Sequence, residues 1–352
     1  YGDSIVPVSY EAAKKHAENP FSTRPLASFG KQGPGNNWEP YVPIIEKLVS
    51  DGFRRLVQFA GNGSAFCLYE GACKAADHVF EKTGIRLNIV QLMKSIDSDT
   101  GFYTIGSDSA QAAQASFFED LANDAANHKY LMHAPFSHGA DTGQFLFRAI
   151  KKMNPNAVRY AVFPEMFIKS GYQSEFLFQL VLGARIAAWL STKNDEGYKP
   201  RTYLVPVAEG ACLKVMIQDK QAWELNKIFP NNLPWDRKLN SRLVRYYKEL
   251  GKDVWVSRSG YEGYAARGSR TLTELDQIAI RESVKVAVEY LREGKTAGFV
   301  DFNPETKAAS IRSLEIFGGK EMPAVFVPIG EIAAWLRQPE RLVLTKQMLN
   351  PG

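Results

Sequence analysis

Leu92-Met93-Lys94-Ser95-Ile96-Asp97-Ser98-Asp99-Thr100 closes an apolar run, Leu87-Asn88-Ile89-Val90-Gln91-Leu92. A short apolar run with a polar boundary reads as a buried strand. In an open α/β sheet, ligands bind in the crevice outside the carboxyl ends of the strands. Lys94, Ser95, Asp97 and Asp99 therefore stand where such a crevice is expected. Two carboxylates beside a lysine and a hydroxyl suit proton removal from an alcohol next to a phosphate or Mg²⁺. The same residues also suit an Asx-rich turn with no ligand, because aspartate side chains bond readily to nearby backbone.

About thirty residues earlier, a second apolar run, Arg55-Leu56-Val57-Gln58-Phe59-Ala60, leads into Gly61-Asn62-Gly63-Ser64. Glycines at that place let a backbone approach a phosphate closely and open a helix N-terminus toward it. Two more stretches follow in order: Tyr103-Thr104-Ile105-Gly106-Ser107-Asp108-Ser109-Ala110, and Gly260-Tyr261-Glu262-Gly263-Tyr264-Ala265-Ala266-Arg267-Gly268-Ser269, the latter followed by Leu275-Asp276.

In this order and spacing the chain resembles the 6-phosphofructokinases from about Phe21 to Phe317. That family carries a Gly-Gly-Asp-Gly-Ser loop, a Pro-Lys-Thr-Ile-Asp-Asn-Asp motif, a Tyr-Thr-Ile-Gly-Phe-Asp-Thr-Ala run and a late Gly-His-x-Gln-Arg-Gly-Gly or Gly-Tyr-Glu-Gly-Arg segment. Each motif alone is weak, and the specificity lies in their order. The resemblance implies an α/β fold of two αβα (Rossmann-like) lobes facing one cleft. It implies that Asp97 takes the proton of the sugar hydroxyl, that Asp99 lies near metal and phosphates, and that Ser95 supplies a hydroxyl. Lys94 and Gly260-Tyr261-Glu262-Gly263 are similar to the pyrophosphate-dependent branch. Glu209 matches a sugar-binding glutamate, and Arg258 and Arg267 fall where the family holds the sugar 6-phosphate. Arginine forks match phosphate oxygens well, although surface ion pairing would explain the same two residues. The implied substrate is a sugar phosphate, fructose 6-phosphate. The implied donor is ATP or pyrophosphate with Mg²⁺, and the implied state is a homo- or hetero-oligomer.

Four positions depart from the family. Asn62 replaces the loop aspartate that helps hold Mg²⁺, and a neutral amide is a poorer ligand for that ion than a carboxylate. The Met-Gly-Arg segment should fall at His133-Ala134-Pro135-Phe136-Ser137-His138-Gly139, which has no arginine. Gly30-Lys31 stands where an arginine follows the turn near Ser28, and Tyr264 stands where a sugar-binding histidine or arginine is usual. The residues thus lead to two expectations. One is a catalytically weak or non-catalytic regulatory or structural subunit that retains part of the fructose 6-phosphate site. The other is an active 6-phosphofructokinase.

Composition narrows the class. With 45% hydrophobic and 23% charged residues over 352 positions, the chain is globular and large enough for two lobes. A net charge of +5 without a basic run gives no footprint for nucleic acid. No apolar run reaches the ~18 residues of a membrane span, and no signal peptide is visible. Cys67, Cys73 and Cys212 form an odd set without metal spacing, expected as reduced thiols. The five histidines make no zinc pattern. The cytoplasm, or an organelle matrix after N-terminal cleavage, is the expected location. Tyr1–Pro20 holds neither the first strand nor the glycine-rich nucleotide turn that the resemblance places upstream of Phe21.

Along the chain the pattern predicts helices at Tyr10–Glu18, Pro43–Asp51, Ser64–Thr83, Ala110–Asn127, Thr142–Met153, Ser174–Ser191, Ser241–Gly251 and Leu275–Glu293. Strands are predicted at Arg55–Ala60, Leu87–Leu92, His128–His133, Val158–Phe163, Thr202–Ala208 and Ala297–Phe302, with loops at Lys31–Pro43, Asn194–Pro200 and Asn226–Asp236. The alternation predicts a largely parallel α/β arrangement. By analogy, residues 1–108 and 266–318 form the nucleotide- or pyrophosphate-side lobe. Residues 109–265 and 319–352 form the sugar-phosphate-side lobe.

Overall fold

The structure, a computed structural model, describes residues 38–95, 100–127, 131–133, 135–137, 142–153, 158, 160–167, 204–208, 211, 255–257, 271–312 and 325–336. In chain order these form a 3₁₀ turn (Glu39–Tyr41), α1 (Val42–Ser50), β1 (Arg55–Ala60), α2 (Asn62–Thr83), β2 (Asn88–Met93) and α3 (Ser107–Asn127). Next come β3 (Leu131–His133), β4 (Phe136–Ser137), α4 (Gln144–Lys152), a second 3₁₀ turn (Pro164–Phe167), β5 (Val207–Ala208) and β6 (Trp255–Ser257). Last are α5 (Glu274–Arg292), β7 (Ala297–Asn303), β8 (Ala308–Arg312) and α6 (Ile329–Leu336). The expected helices at Tyr10–Glu18, Ser174–Ser191 and Ser241–Gly251 and the loops at Asn194–Pro200 and Asn226–Asp236 lie outside the described residues.

The described residues fall into two compact units. One takes those up to Ser95, Thr100–Gly106 and those from Glu274 to Arg312; the other takes those from Ser107 to Thr273 and those from Val325 onward.

The first unit is a four-stranded sheet in the order β1-β2-β7-β8. β1, β2 and β7 run parallel, as the continuous apolar runs predict, with Leu56 opposite Ile89 and Leu92 opposite Val300. Parallel strands covered on both faces carry such runs because neither side meets water. One face packs on α1 and α2 through Ile45, Phe66, Tyr69, Ile89 and Phe299. The other packs on α5 through Val90, Leu92, Ala287, Leu291 and Val300. Burial pushes the Cys73 thiol up to about 12, with Asp77 and Glu70 adding to the rise and a hydrogen bond with Tyr69 opposing it.

In α5 the buried line is Asp276, Ala279, Ser283, Ala287 and Leu291, mostly small residues that the hydrophobic pattern of the sequence does not mark. Small residues every three or four positions let the helix axis approach the sheet, and the larger side chains splay to either side. β8 was also not expected. It pairs antiparallel with β7 through a turn in which the Asn303 Oδ1 accepts the Glu305 and Thr306 N–H groups at 2.8 and 3.2 Å. That Asx turn is the local reason for the reversal.

In the second unit β3 pairs parallel with β6 and β4 with β5. α3, α4 and α6 close a core that includes Phe118, Leu146, Phe147, Phe163 and Trp335. Of the strand expected at Val158–Phe163, the described residues show one bridge, Val162 to Val207. Pro164, which has no N–H for a ladder, turns the chain into a 3₁₀ helix immediately afterwards. Likewise Pro40 and Pro43 sit in the 3₁₀ turn and the first turn of α1, where a missing N–H costs nothing, so the Lys31–Pro43 loop is already helical at its end. The strand predicted at His128–His133 is described only at Leu131–His133, and that at Thr202–Ala208 only as Val207–Ala208 with a bridge at Leu204.

Candidate functional site

β1 and β2 are neighbours in parallel, in register from Arg55–Asn88 to Ala60–Met93. Their carboxyl ends therefore lie side by side. Gly61 follows the first and Lys94-Ser95 the second. The two turns touch: a Cβ built on Gly61 would lie 2.6 Å from the Lys94 carbonyl oxygen and 3.9 Å from the Ser95 Cβ. The φ of Gly61 is −102°, which any residue adopts, so the demand for glycine here comes from close approach alone.

Gly61 is also the N-cap of the 22-residue α2, and no side chain caps it. Asn62, Gly63 and Ser64 form the first turn of that helix. The first N–H groups of a helix have no intrahelical acceptor, and the aligned peptides add partial positive charge there. An anion at the end of β1 and β2 would meet that turn.

Beyond residues 96–99, which lie outside the described residues, the chain runs parallel to the end of β2 at Ile105. The Ile105 N–H donates to the Met93 carbonyl at 2.9 Å, and Ile105 bridges Lys94. Thr100, Phe102, Thr104 and Ile105 are buried. Two carboxylates from the far end of the sequence hold this limb. Asp276, fully buried, accepts at one oxygen from the Tyr103 hydroxyl at 2.8 Å and from the Gly106 N–H at 2.9 Å. Asp301 accepts the Tyr103 N–H at 3.2 Å and pairs with Arg312 at 2.6 Å. Burial pushes the Asp301 carboxyl above its ordinary range, against the opposing pull of the Tyr103 N–H and the Arg312 charge.

Of the residues read from sequence, the structure brings Gly61, Lys94 and Ser95 together and puts Asn62, Gly63 and Ser64 at the head of α2. Asp97, Asp99, Glu209, Arg258, Tyr264 and Arg267 lie outside the described residues. The sequence reading missed the roles of Asp301 and Arg312 and did not assign one to Asp276. No local pattern marked Asp276, because the small residues that share its buried stripe carry little hydropathy.

In the second unit, His133 ends β3 but is committed: its Nε2 lies 2.8 Å from Asp124 Oδ2, and the residue is 4% exposed. Glu165, 2% exposed, accepts the Gly143 and Val327 N–H groups at 2.9 and 3.0 Å and ties α4 to the segment before α6. Among the described residues, no group of three His, Cys, Asp or Glu side chains is gathered as a metal site, and no helix is long and apolar enough to cross a membrane.

No protein-family model matches the chain, and neither does any curated protein sequence. The structure is similar to phosphofructokinase from Saccharomyces cerevisiae, at 19% identity and a TM-score of 0.52 over 80% of this chain and 34% of that one. It is similar to Pichia pastoris phosphofructokinase in the T-state, at 18% identity and a TM-score of 0.54 over 80% of this chain and 28% of the other. A third likeness is to the pyrophosphate-dependent phosphofructokinase from Marinobacter aquaeolei, at 17% identity and a TM-score of 0.50, covering 78% and 62%. The chain thus spans less than two thirds of the length of each. At such identities the likeness is one of fold, and it meets the ordered motifs on the same ground: this α/β chain has the phosphofructokinase fold.

Proposed function

We propose that the protein is a phosphofructokinase-like sugar-phosphate binder with weak or silent phosphoryl transfer, serving as a regulatory or structural subunit of an oligomer. The observation that carries this reading is the contact of the Gly61 turn with the Lys94-Ser95 turn at adjacent strand ends. It supports an anion site of the family's type beside the segment that bears Asp97 and Asp99. On this reading the unit built on β1 and β2 is the donor-side lobe. Glu209, Arg258, Tyr264 and Arg267 belong to the sugar side, and two arginines there suffice for a phosphate.

The weakness follows from charge. Stabilisation of phosphoryl transfer is almost wholly positioning and electrostatics. Asn62 brings no charge to a Mg²⁺ that Asp99 would hold, and His133–Gly139 offers no arginine. His133 itself is engaged by Asp124. Losing an arginine and a metal carboxylate together costs several kcal/mol, on the order of 10³-fold in rate. The second reading, an active enzyme using pyrophosphate or ATP, is favoured by the retention of both Asp97 and Asp99 with Ser95 between β2 and the first of them.

A coupled assay with fructose 6-phosphate, Mg²⁺ and either ATP or pyrophosphate separates the two. Turnover below ~1 s⁻¹, the low end for ordinary enzymes, is expected. Faster turnover that Asp97→Asn abolishes would establish the enzyme instead. In the same preparation Asn62→Asp should raise Mg²⁺ affinity, because carboxylate oxygen is the better ligand. Equal affinity in the two proteins would remove the metal part of the explanation.

A further inference from the structure

We propose that the free edge of β1 pairs with β1 of a second copy of this chain, antiparallel and about a twofold axis at Gln58. This names a contact for the oligomer put forward above and is independent of sugar-phosphate binding, since it uses β1 alone. β1 ends the sheet, and among the described residues no strand pairs with its other side. The Asn88 N–H donates to the Arg54 carbonyl at 2.9 Å. Backbone groups alternate in direction along a strand, so those of Leu56 and Gln58 also face β2, and those of Val57 and Phe59 face outward.

A row of outward N–H and C=O groups is a template for another strand, and natural edges are blunted by charge, proline, bulges or short length. β8, the opposite edge, is blunted: its residues alternate between exposed and half-buried, and it ends at Arg312. β1 is not. Its six residues keep unbroken register with β2, and residues 56–59 include neither charge nor proline. Phe59 is 51% exposed, and Leu56 and Val57 are half-buried, whereas residues 89–93 of β2 are fully buried. Parallel strands normally have both faces covered.

The sequence of β1 selects a second copy as the occupant. In an antiparallel pair centred on Gln58, Val57 of each copy lies opposite Phe59 of the other. These residues carry the outward groups, so they form the hydrogen-bonded pairs. Val57 packs on the α5 side of the sheet, and alternation puts Phe59 on the same face, so the two apolar side chains meet there. Gln58 lies opposite itself as a non-hydrogen-bonded pair, where side chains approach most closely. Its Oε1 is buried and has no hydrogen-bond partner among the described residues. An amide is both donor and acceptor, so two glutamines across a twofold axis satisfy each other. Charge agrees, since Arg55, the one charged residue of β1, falls opposite Gly61 and not opposite itself.

The test is sedimentation of the full chain, with cross-linking to read the register. Wild type should self-associate reversibly at concentrations up to ~100 µM, because modest interfaces bind in the micromolar range or tighter. Phe59→Lys puts a charge on the edge at a position that is already exposed, and should weaken association by about tenfold or more, the size for a central aromatic anchor. The Cα atoms of a non-hydrogen-bonded antiparallel pair lie ~4.5 Å apart, within the range a disulfide spans. Mild oxidation should therefore turn Gln58→Cys into a covalent dimer. Ser310→Cys on the exposed part of β8, and the wild type with its native cysteines alone, should remain uncross-linked. A wild type that stays monomeric up to ~100 µM would overturn the proposal. So would association that Phe59→Lys leaves unchanged, or Gln58→Cys that cross-links no better than Ser310→Cys. If another part of the same chain covers β1 instead, the Val57 and Phe59 amides exchange slowly at every concentration and neither variant alters sedimentation, which also refutes the pairing.

Discussion

Gly61→Ala is expected to destabilise the protein by about 1–3 kcal/mol, the range for forcing an extra methyl group into a packed site. The upper part of that range applies, because the new Cβ would lie 2.6 Å from the Lys94 carbonyl oxygen. A flexible side chain could swing away, but that oxygen belongs to the backbone that leads out of β2. Relief therefore requires the two strand ends to part. Gly330→Ala is the matched control. A Cβ there meets nothing within 4 Å, and the residue lies in α6. Alanine in a helix is preferred to glycine, so this variant should be stabilised by about 0.4–1 kcal/mol. Denaturant titrations of the two variants should move in opposite directions. Equal stability for Gly61→Ala and wild type would mean that the two turns do not touch.

Phe299→Ala should have the largest effect, a loss of about 3–5 kcal/mol. Phe299 is fully buried on β7. Its ring lies 5.9 Å from Phe66, 4.6 Å from Tyr69 and 5.9 Å from Phe102. Each such aromatic pair adds about 0.5–1.5 kcal/mol beyond burial. The residue joins α2, which begins at the candidate anion site, to the limb that follows the paired aspartates. Its removal should therefore also weaken ligand binding at that site. A denaturation midpoint shifted by the equivalent of less than about 1 kcal/mol would contradict this placement of the core, since such a loss is ordinary for a surface position.

The parts of this fold that could be read from sequence are those with a local signal. Arg55–Ala60 is a strand with the bounds expected for it, because its apolar run stops at Gly61. Asn88–Met93 and Ala297–Asn303 differ from expectation by one residue at their ends. The helix read from Ser64 in fact begins at Asn62, since the glycine that bounds the strand also caps the helix. The burial of α5 was not legible, because its stripe is made of Ala279, Ser283 and Ala287, which carry little hydropathy. β8 was missed because Ala308–Arg312 alternates between exposed and half-buried residues and pairs at the sheet's antiparallel end. In the candidate site, Gly61 and Lys94-Ser95 announced themselves by composition and by position after strands. Asp276 and Asp301 hold Tyr103 across 173 and 198 residues, and no local pattern encodes a partner at that range.

Titration of the full-length protein with fructose 6-phosphate, followed by calorimetry, tests the sugar-phosphate reading most directly. Each charge-assisted contact to phosphate contributes roughly 1.5–3 kcal/mol, so two arginines support micromolar to millimolar binding. Saturable binding in that range, weakened about tenfold or more by Arg267→Ala, is the expected result. No heat of binding up to several millimolar, or binding that Arg267→Ala leaves unchanged, would contradict it.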